Sequence, residues 1–186
     1  DGIRLNNSVF RDGPNQYWNT VDPFSVGAYE VVMGPASVLY GSDAVGGLMN
    51  AIPAEPPEYD GEAAWEPRLF YRGASADEST AGRVQLGGRI SEALGFVGGV
   101  SAKSFGDLRG GRNVGRQEHT GYTEQDYDAR VDYHINKDSS LSLGFQAVNQ
   151  DDAWRTHRTI YGIAWEGLAR GDDKVHTYEQ HRDLVY

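Results

Sequence analysis

Histidines, a glycine-rich run and a loop of arginines are the residues whose types and spacing could do chemistry in this chain. His119, His134, His157, His176 and His181 include no H-E-x-x-H, the spacing that sets two imidazoles on one helical face for zinc. His176 and His181 stand five apart in a loop-to-strand region, so they share no helical face either. No G-x-S-x-G or comparable nucleophile motif is present. Catalytic residues, a metal centre and a cofactor are therefore not assigned. In "VVMGPASVLYGSDAVGGLMNAI", Val31 to Ile52, Gly41 and Gly46 have the outer spacing of a phosphate-binding loop, but Gly47 and Leu48 occupy the places of its lysine and hydroxyl. The dinucleotide spacing G-x-G-x-x-G is absent from this stretch as well. These glycines read as turn and packing residues.

Two polar segments remain as candidate binding surfaces. "GDLRGGRNVGRQEHTG", Gly106 to Gly121, sets Arg109, Arg112 and Arg116 among glycines. Guanidinium groups there suit an anionic ligand, lipopolysaccharide phosphates, or plain solvation. "NNSVFRDGPNQYWN", Asn6 to Asn19, combines donors and acceptors on Arg11, Asp12, Asn15 and Gln16 with the large faces of Phe10, Tyr17 and Trp18. Small-molecule sites have this mixture of apolar walls and few polar anchors. The same residues would also serve a turn around Gly13-Pro14 with aromatics packed beneath it.

The elements that must position these residues are β-rich. The chain has 186 residues with 24 glycines and 11 tyrosines, a composition that disfavours helices and suits strands and turns. Its 27 acidic against 17 basic residues give a net charge of −10, which excludes a nucleic-acid partner. There is no cysteine and hence no disulfide framework. No apolar run reaches the length of a transmembrane helix, although a transmembrane barrel leaves a far weaker signal. Without an initiator Met or a signal peptide, the chain reads as an internal fragment.

The pattern changes at "IPAEPPEYDGE", Ile52 to Glu62, whose prolines and acids read as a linker. Before it, Tyr29 to Met33 and Leu48 to Ile52 are expected as strands, with a turn at Gly34-Pro35 and a helical turn over Ala36 to Tyr40. After it the period becomes two. Tyr127, Ala129, Val131, Tyr133 and Ile135 alternate with Asp128, Arg130, Asp132 and His134. Leu141, Leu143, Phe145 and Ala147 alternate with Ser140, Ser142, Gly144 and Gln146, and Val84, Leu86 and Ile90 with Arg83, Gln85 and Arg89. Strands are also expected at Leu69 to Gly73, Leu94 to Phe105 and Thr177 to Tyr186, giving about six in all. Connections at Ser91 to Ala93 and Asn136 to Ser139 are tight, whereas Gly106 to Gly121 and Asp151 to His176 are long. Periodicity alone leaves two folds open: an up-and-down membrane barrel and a soluble antiparallel sandwich.

Taken together, "DGIRLNN", "VDPFSVGAYEVVMGPASVLYGSDAVGGLMNAI", the Pro-rich linker and the alternating strands resemble the TonB-dependent outer-membrane receptors. The plug motif of that family is matched by Glu30, Val31, Gly34, Pro35, Ser37, Tyr40, Gly41, Ala44, Gly46, Gly47 and Asn50. The resemblance implies a transmembrane antiparallel β-barrel of about 22 strands, closed around a small α/β plug. Residues 1–52 would be the C-terminal half of the plug, 53–62 a linker and 63–186 the first barrel strands. It also implies uptake of a scarce ligand, such as a ferric siderophore or cobalamin, powered by TonB across an outer membrane of lipid and lipopolysaccharide. In the resemblance, Asn6 to Asn19 is the plug loop raised toward the ligand. Gly27 and Met33 depart from the family pattern, which often has charged residues there that link plug to barrel. Two rivals from other classes are a secreted β-rich binding module, suggested by Trp65, Trp154 and Trp165, and a receptor of the same fold that mainly signals.

Overall fold

The computed structural model describes residues 2–5, 17–154 and 156–186, the side chain of His157 apart. The chain divides into two compact units, Asp1–Glu55 and Pro56–Tyr186.

The first unit is a two-stranded antiparallel sheet, β1 (Val26–Met33) against β2 (Gly47–Pro53), with the single helical turn α1 (Ser37–Tyr40) between them. A 3-10 turn, Tyr17–Thr20, precedes it. Asp22 then forms an Asx turn, its side chain accepting from the Phe24 amide at 3.1 Å, which aims the chain into β1. Between the strands the connection folds back on itself. The Gly34 amide donates to the Gly46 carbonyl at 3.2 Å and the Ala36 amide to the Ala44 carbonyl at 2.9 Å. The glycines of this run, read from the sequence as turn and packing residues, divide by role. Gly47 lies at φ +148 and a Cβ there would stand 2.6 Å from the Val32 carbonyl oxygen, so only glycine fits between the paired strands. Among the described residues a Cβ at Gly46 would meet nothing within 4 Å, so no described neighbour requires a glycine there.

The second unit is one six-stranded antiparallel sheet in sequential order: β3 (Ala64–Ala74), β4 (Ser79–Arg89), β5 (Leu94–Phe105), β6 (Tyr122–Asn136), β7 (Ser139–Trp154) and β8 (Thr177–Val185). The connections at 75–78, 106–121 and 155–176 leave from one end of the strands, and those at 90–93 and 137–138 from the other. The strands run longer than alternation alone indicates. The Asn136 to Ser139 turn tightens to Lys137 and Asp138, with the Asp138 amide donating to the Asn136 side chain at 2.9 Å. Asp151 and Asp152, expected in the long loop, belong to β7. A register shift between Gln150 and Ala153 absorbs them, Asp152 adopting φ +56.

The two faces of this sheet are inverted relative to a water-soluble one. Val84, Leu86, Val100, Val131, Leu143 and Phe145 stand exposed, Leu143 at 60%. Buried on the opposite face are Ser79, Arg83, Gln85, Ser101, Lys103, Glu124, Asp126 and Gln150. Register aligns them in rows: Arg83, Ser101 and Asp126 lie abreast, as do Lys103, Glu124 and Gln150. A sandwich would bury the first set and wet the second.

Glycine in strands makes room for the large neighbours on each face. On the polar face a Cβ at Gly99 would stand 2.5 Å from Arg83 Nη2, so Gly99 is the gap through which Arg83 reaches Asp128, two strands away. On the apolar face the Phe96 ring lies over Gly88, where a Cβ would come within 2.4 Å of it, and meets Trp65 edge-on at 5.8 Å. Gly99→Ala should displace the guanidinium and cost about 3–5 kcal/mol, the effect of breaking a buried ion pair. Gly88→Ala moves only an outward ring and should cost about 1–3 kcal/mol. Urea midpoints of the folded full-length protein in detergent check this order.

Candidate functional site

Two constellations in the strand unit carry charge in arrangements that the alternating pattern alone did not reveal. The first is the polar face. Arg83 holds Asp128 in a forked pair, Nη1 to Oδ1 at 2.7 Å and Nη2 to Oδ2 at 3.0 Å, and also donates to Gln85 and Ser101. Planar guanidinium matches carboxylate in this geometry, and the added acceptors keep a nearly buried cation solvated by protein. Lys103 bridges Glu124 and Asp126, the latter at 2.7 Å, and Gln150 donates to Glu124 at 2.6 Å. Arg130 pairs with Asp132 at 2.9 Å. This lattice fixes side chains. It presents no nucleophile beside a base, and among the described residues no three His, Cys, Asp or Glu side chains gather as metal ligands.

The second constellation is at the strand end that carries the long connections. An open pocket of about 630 Å³ is lined by Asp107, Arg116, Glu118, His119, Gly121, Asp152 and Trp154. Two elements build it: the β5–β6 connection and the end of β7. His119, at φ +60, sits 4.4 Å from the Trp154 ring and 4.1 Å from Tyr161, ring centre to ring centre. The two long connections are thus tied together through one imidazole.

Asp107 anchors the base of the β5–β6 connection. Its Oδ1 accepts from the Thr120 amide at 3.0 Å and the Gly121 amide at 3.2 Å, and its Oδ2 pairs with Arg116 at 3.2 Å. Desolvation pushes this carboxyl up, but the two amides and Arg116 together hold it below its ordinary value of 3.8. Arg109 pairs with Glu78 in the β3–β4 turn at 2.9 Å. Of the three arginines of this connection, for which an anionic ligand was one of the readings left open, two are therefore neutralised by neighbouring carboxylates.

The other sequence-derived candidates fall as follows. Phe10, Arg11, Asp12, Asn15 and Gln16 lie outside the described residues. Tyr17 and Trp18 are on the 3-10 turn, with the Trp18 ring 6.0 Å from Tyr29 and part-exposed. The first and last residues of the plug motif meet: Glu30 and Asn50 are register partners, and Asn50 Nδ2 donates to Glu30 Oε2 at 3.1 Å. Between them, Gly41 closes α1 at φ +94 with its amide on the Ser37 carbonyl, Gly34 turns at φ +112 before Pro35, and Tyr40 is exposed. His181 contacts Asn149 at 2.9 Å and His176 lies 5.6 Å from the Tyr178 ring. Sequence reading missed Asp107, Glu118 and Asp152, because loop acids carry no period and only tertiary pairing separates a structural carboxylate from a free one.

Because the folded carboxyl of Asp107 lies below its ordinary value, its stabilisation of this connection is complete above pH 4 and is lost as pH falls through the lowered value. Asp107→Ala should raise amide exchange at Thr120 and Gly121 about ten-fold at neutral pH, for a part-exposed charged acceptor. The difference from wild type should vanish in strong acid. Hydrogen exchange by mass spectrometry measures both.

Residues 1–48 match the TonB-dependent receptor plug domain. The iron-regulated outer membrane virulence protein of Vibrio cholerae serotype O1 is 30% identical over 145 residues, 75% of this chain and 21% of that protein. The vitamin B12 transporter BtuB of Photobacterium profundum is 30% identical over 118 residues, 61% of this chain and 18% of its own length. Neither name is that of an enzyme. The chain spans about a fifth of the length of the curated relatives it matches. With the plug match over the first unit, and similarity in each relative too long to end within it, the chain belongs to the TonB-dependent receptors of the outer membrane.

Proposed function

We propose that this chain is the plug-and-first-strands portion of an active transporter that takes up a scarce metal complex, of the ferric siderophore or cobalamin class. Residues 1–52 supply plug, 53–62 the linker, and 63–186 the opening strands of a closed barrel of about 22 strands. The observation that carries this reading is the inverted sheet: Leu143 and Val131 exposed, Lys103 and Asp126 buried. Lipid accepts the first face, and a plug-filled, partly hydrated lumen accepts the second. Short turns at 90–93 and 137–138 suit the periplasmic rim, and the long connections suit the outside. The names of the relatives, one iron-regulated and one a vitamin B12 transporter, support the ligand class. TonB supplies the energy and rearranges the plug, while lipid and lipopolysaccharide cover the apolar face.

Ligand is met by the plug segment Asn6 to Asn19. Its polar anchors are Arg11, Asp12, Asn15 and Gln16, and its apolar walls Phe10, Tyr17 and Trp18. The packing of Trp18 beside Tyr29 favours a preformed aromatic surface at one end of this segment.

Arginine at a midplane lipid position costs about 2–4 kcal/mol in barrels of this kind. Val131→Arg and Leu143→Arg should therefore reduce assembly of the full-length protein, seen as loss of heat-modifiable migration on gels, whereas Ser142→Arg on the opposite face should not. Normal assembly of both apolar-face variants overturns the membrane orientation. For the plug loop, the substrate is first found by growth rescue with candidate metal chelates. Arg11→Ala, Asn15→Ala and Tyr17→Ala receptors that reach the membrane should each bind it at least several-fold more weakly. Wild-type affinity in all three removes the loop from the site and leaves transport standing.

A further inference from the structure

We propose that the rim pocket between the β5–β6 connection and the end of β7 binds an organic cation, an ammonium or guanidinium group carried on a flat or apolar body. Volume sets the scale first: about 630 Å³ is within the range of small-molecule sites and far larger than a bare ion needs. The wall is aromatic. Trp154 and His119 line the pocket with ring centres 4.4 Å apart, and Tyr161 packs on both, 4.1 Å from the imidazole and 5.9 Å edge-on to the indole, so the ring cluster is braced from both connections. A rigid tryptophan face is the best side-chain partner for a cation.

Charge decides the sign of the ligand. Arg116 is the one lining residue with a fixed positive charge, and Asp107 already holds it at 3.2 Å. Asp107 is in turn committed to two backbone amides and cannot turn toward a ligand without opening the connection. Arg109 on the same rim is held by Glu78. Glu118 and Asp152 also line the pocket, both exposed, and form no ion pair among the described residues. They come from different elements, the β5–β6 connection and the β7 bulge, so two separate segments each bring a carboxylate to the pocket that the rings line. A carboxylate or phosphate ligand would find its positive partner already neutralised and two bare negative groups beside it. An organic cation finds the reverse. The arrangement differs from the plug-loop site, and it rests on the transporter reading only in placing this rim outside the cell.

The experiment uses purified full-length receptor in a neutral detergent with three probes of one shape: benzyltrimethylammonium, benzyl alcohol and benzoate. Direct binding is followed by calorimetry and ligand-observed NMR. The cation should bind at least ten-fold more tightly than either other probe, and its affinity should fall as sodium chloride is raised, since the pocket is open to solvent. Glu118→Gln with Asp152→Asn should weaken the cation about ten-fold and leave heat-modifiability unchanged. Asparagine tolerates the positive φ of residue 152, so this variant keeps the bulge. Trp154→Leu should weaken the cation and the benzyl alcohol alike, whereas Asp138→Asn at the opposite rim should change neither. Benzoate binding as tightly as the cation, or wild-type affinity in the double carboxylate variant, overturns the proposal. Because no uptake is measured, either failure leaves the transporter reading untouched, and failure of uptake leaves this binding result untouched.

Discussion

The forked pair between Arg83 and Asp128 is the constraint around which the strand unit is arranged. A guanidinium and a carboxylate this deeply covered are stable only if every remaining donor finds an acceptor, and Gln85 and Ser101 supply them. The pair spans three strands, so β4, β5 and β6 must keep one register for it to form, and β5 must have a glycine at position 99 to let it pass. A one-residue slip would carry these charges to the apolar face. Charge pairing here performs the task that interlocking side chains perform in a soluble core: it selects one alignment of the strands. The Lys103 bridge to Glu124 and Asp126 repeats the device one row further along.

The same lattice explains why the long connections can differ from the strands that bear them. With the strands held by their own polar face, the rim residues are released from fold maintenance. Even so, the rim is partly tied down. Asp107 gathers the base of one connection, and His119 joins a three-ring cluster with Trp154 of the β7 end and Tyr161 of the β7–β8 connection. Preorganisation of this kind lowers the entropy lost when something binds.

How much of this was written in the sequence differs by element. Period-two runs such as Tyr127 to Ile135 are legible because strand geometry sends successive side chains to opposite faces, and one face was uniformly apolar. Which face is covered was not legible, since alternation has no sign; the buried Asp126 and exposed Leu143 supply it. The glycine motif was legible as backbone chemistry at Gly34, Gly41 and Gly47, and unreadable at Gly46. The end of β7 was misjudged because Asp151-Asp152 has a turn-like composition, and a bulge accommodates it at the cost of one left-handed residue. The pairing of the loop arginines was not legible for a different reason: composition counts charges, whereas Glu78 and Asp107 pair with Arg109 and Arg116 only once folding brings the chain together.

The two outer strands of the six-stranded sheet have a consequence for handling the molecule. In the described sheet β3 and β8 each have a neighbour on one side only. Each leaves a row of backbone amides and carbonyls facing outward, next to a face of exposed Leu69, Tyr71 and Val185. In water that combination is a template for adding further strands from other copies, by hydrogen bonds along the edge and by apolar contact across the face. Produced alone, this stretch should be insoluble and fibril-prone, and its solubility would reflect how well something else occupies those two borders.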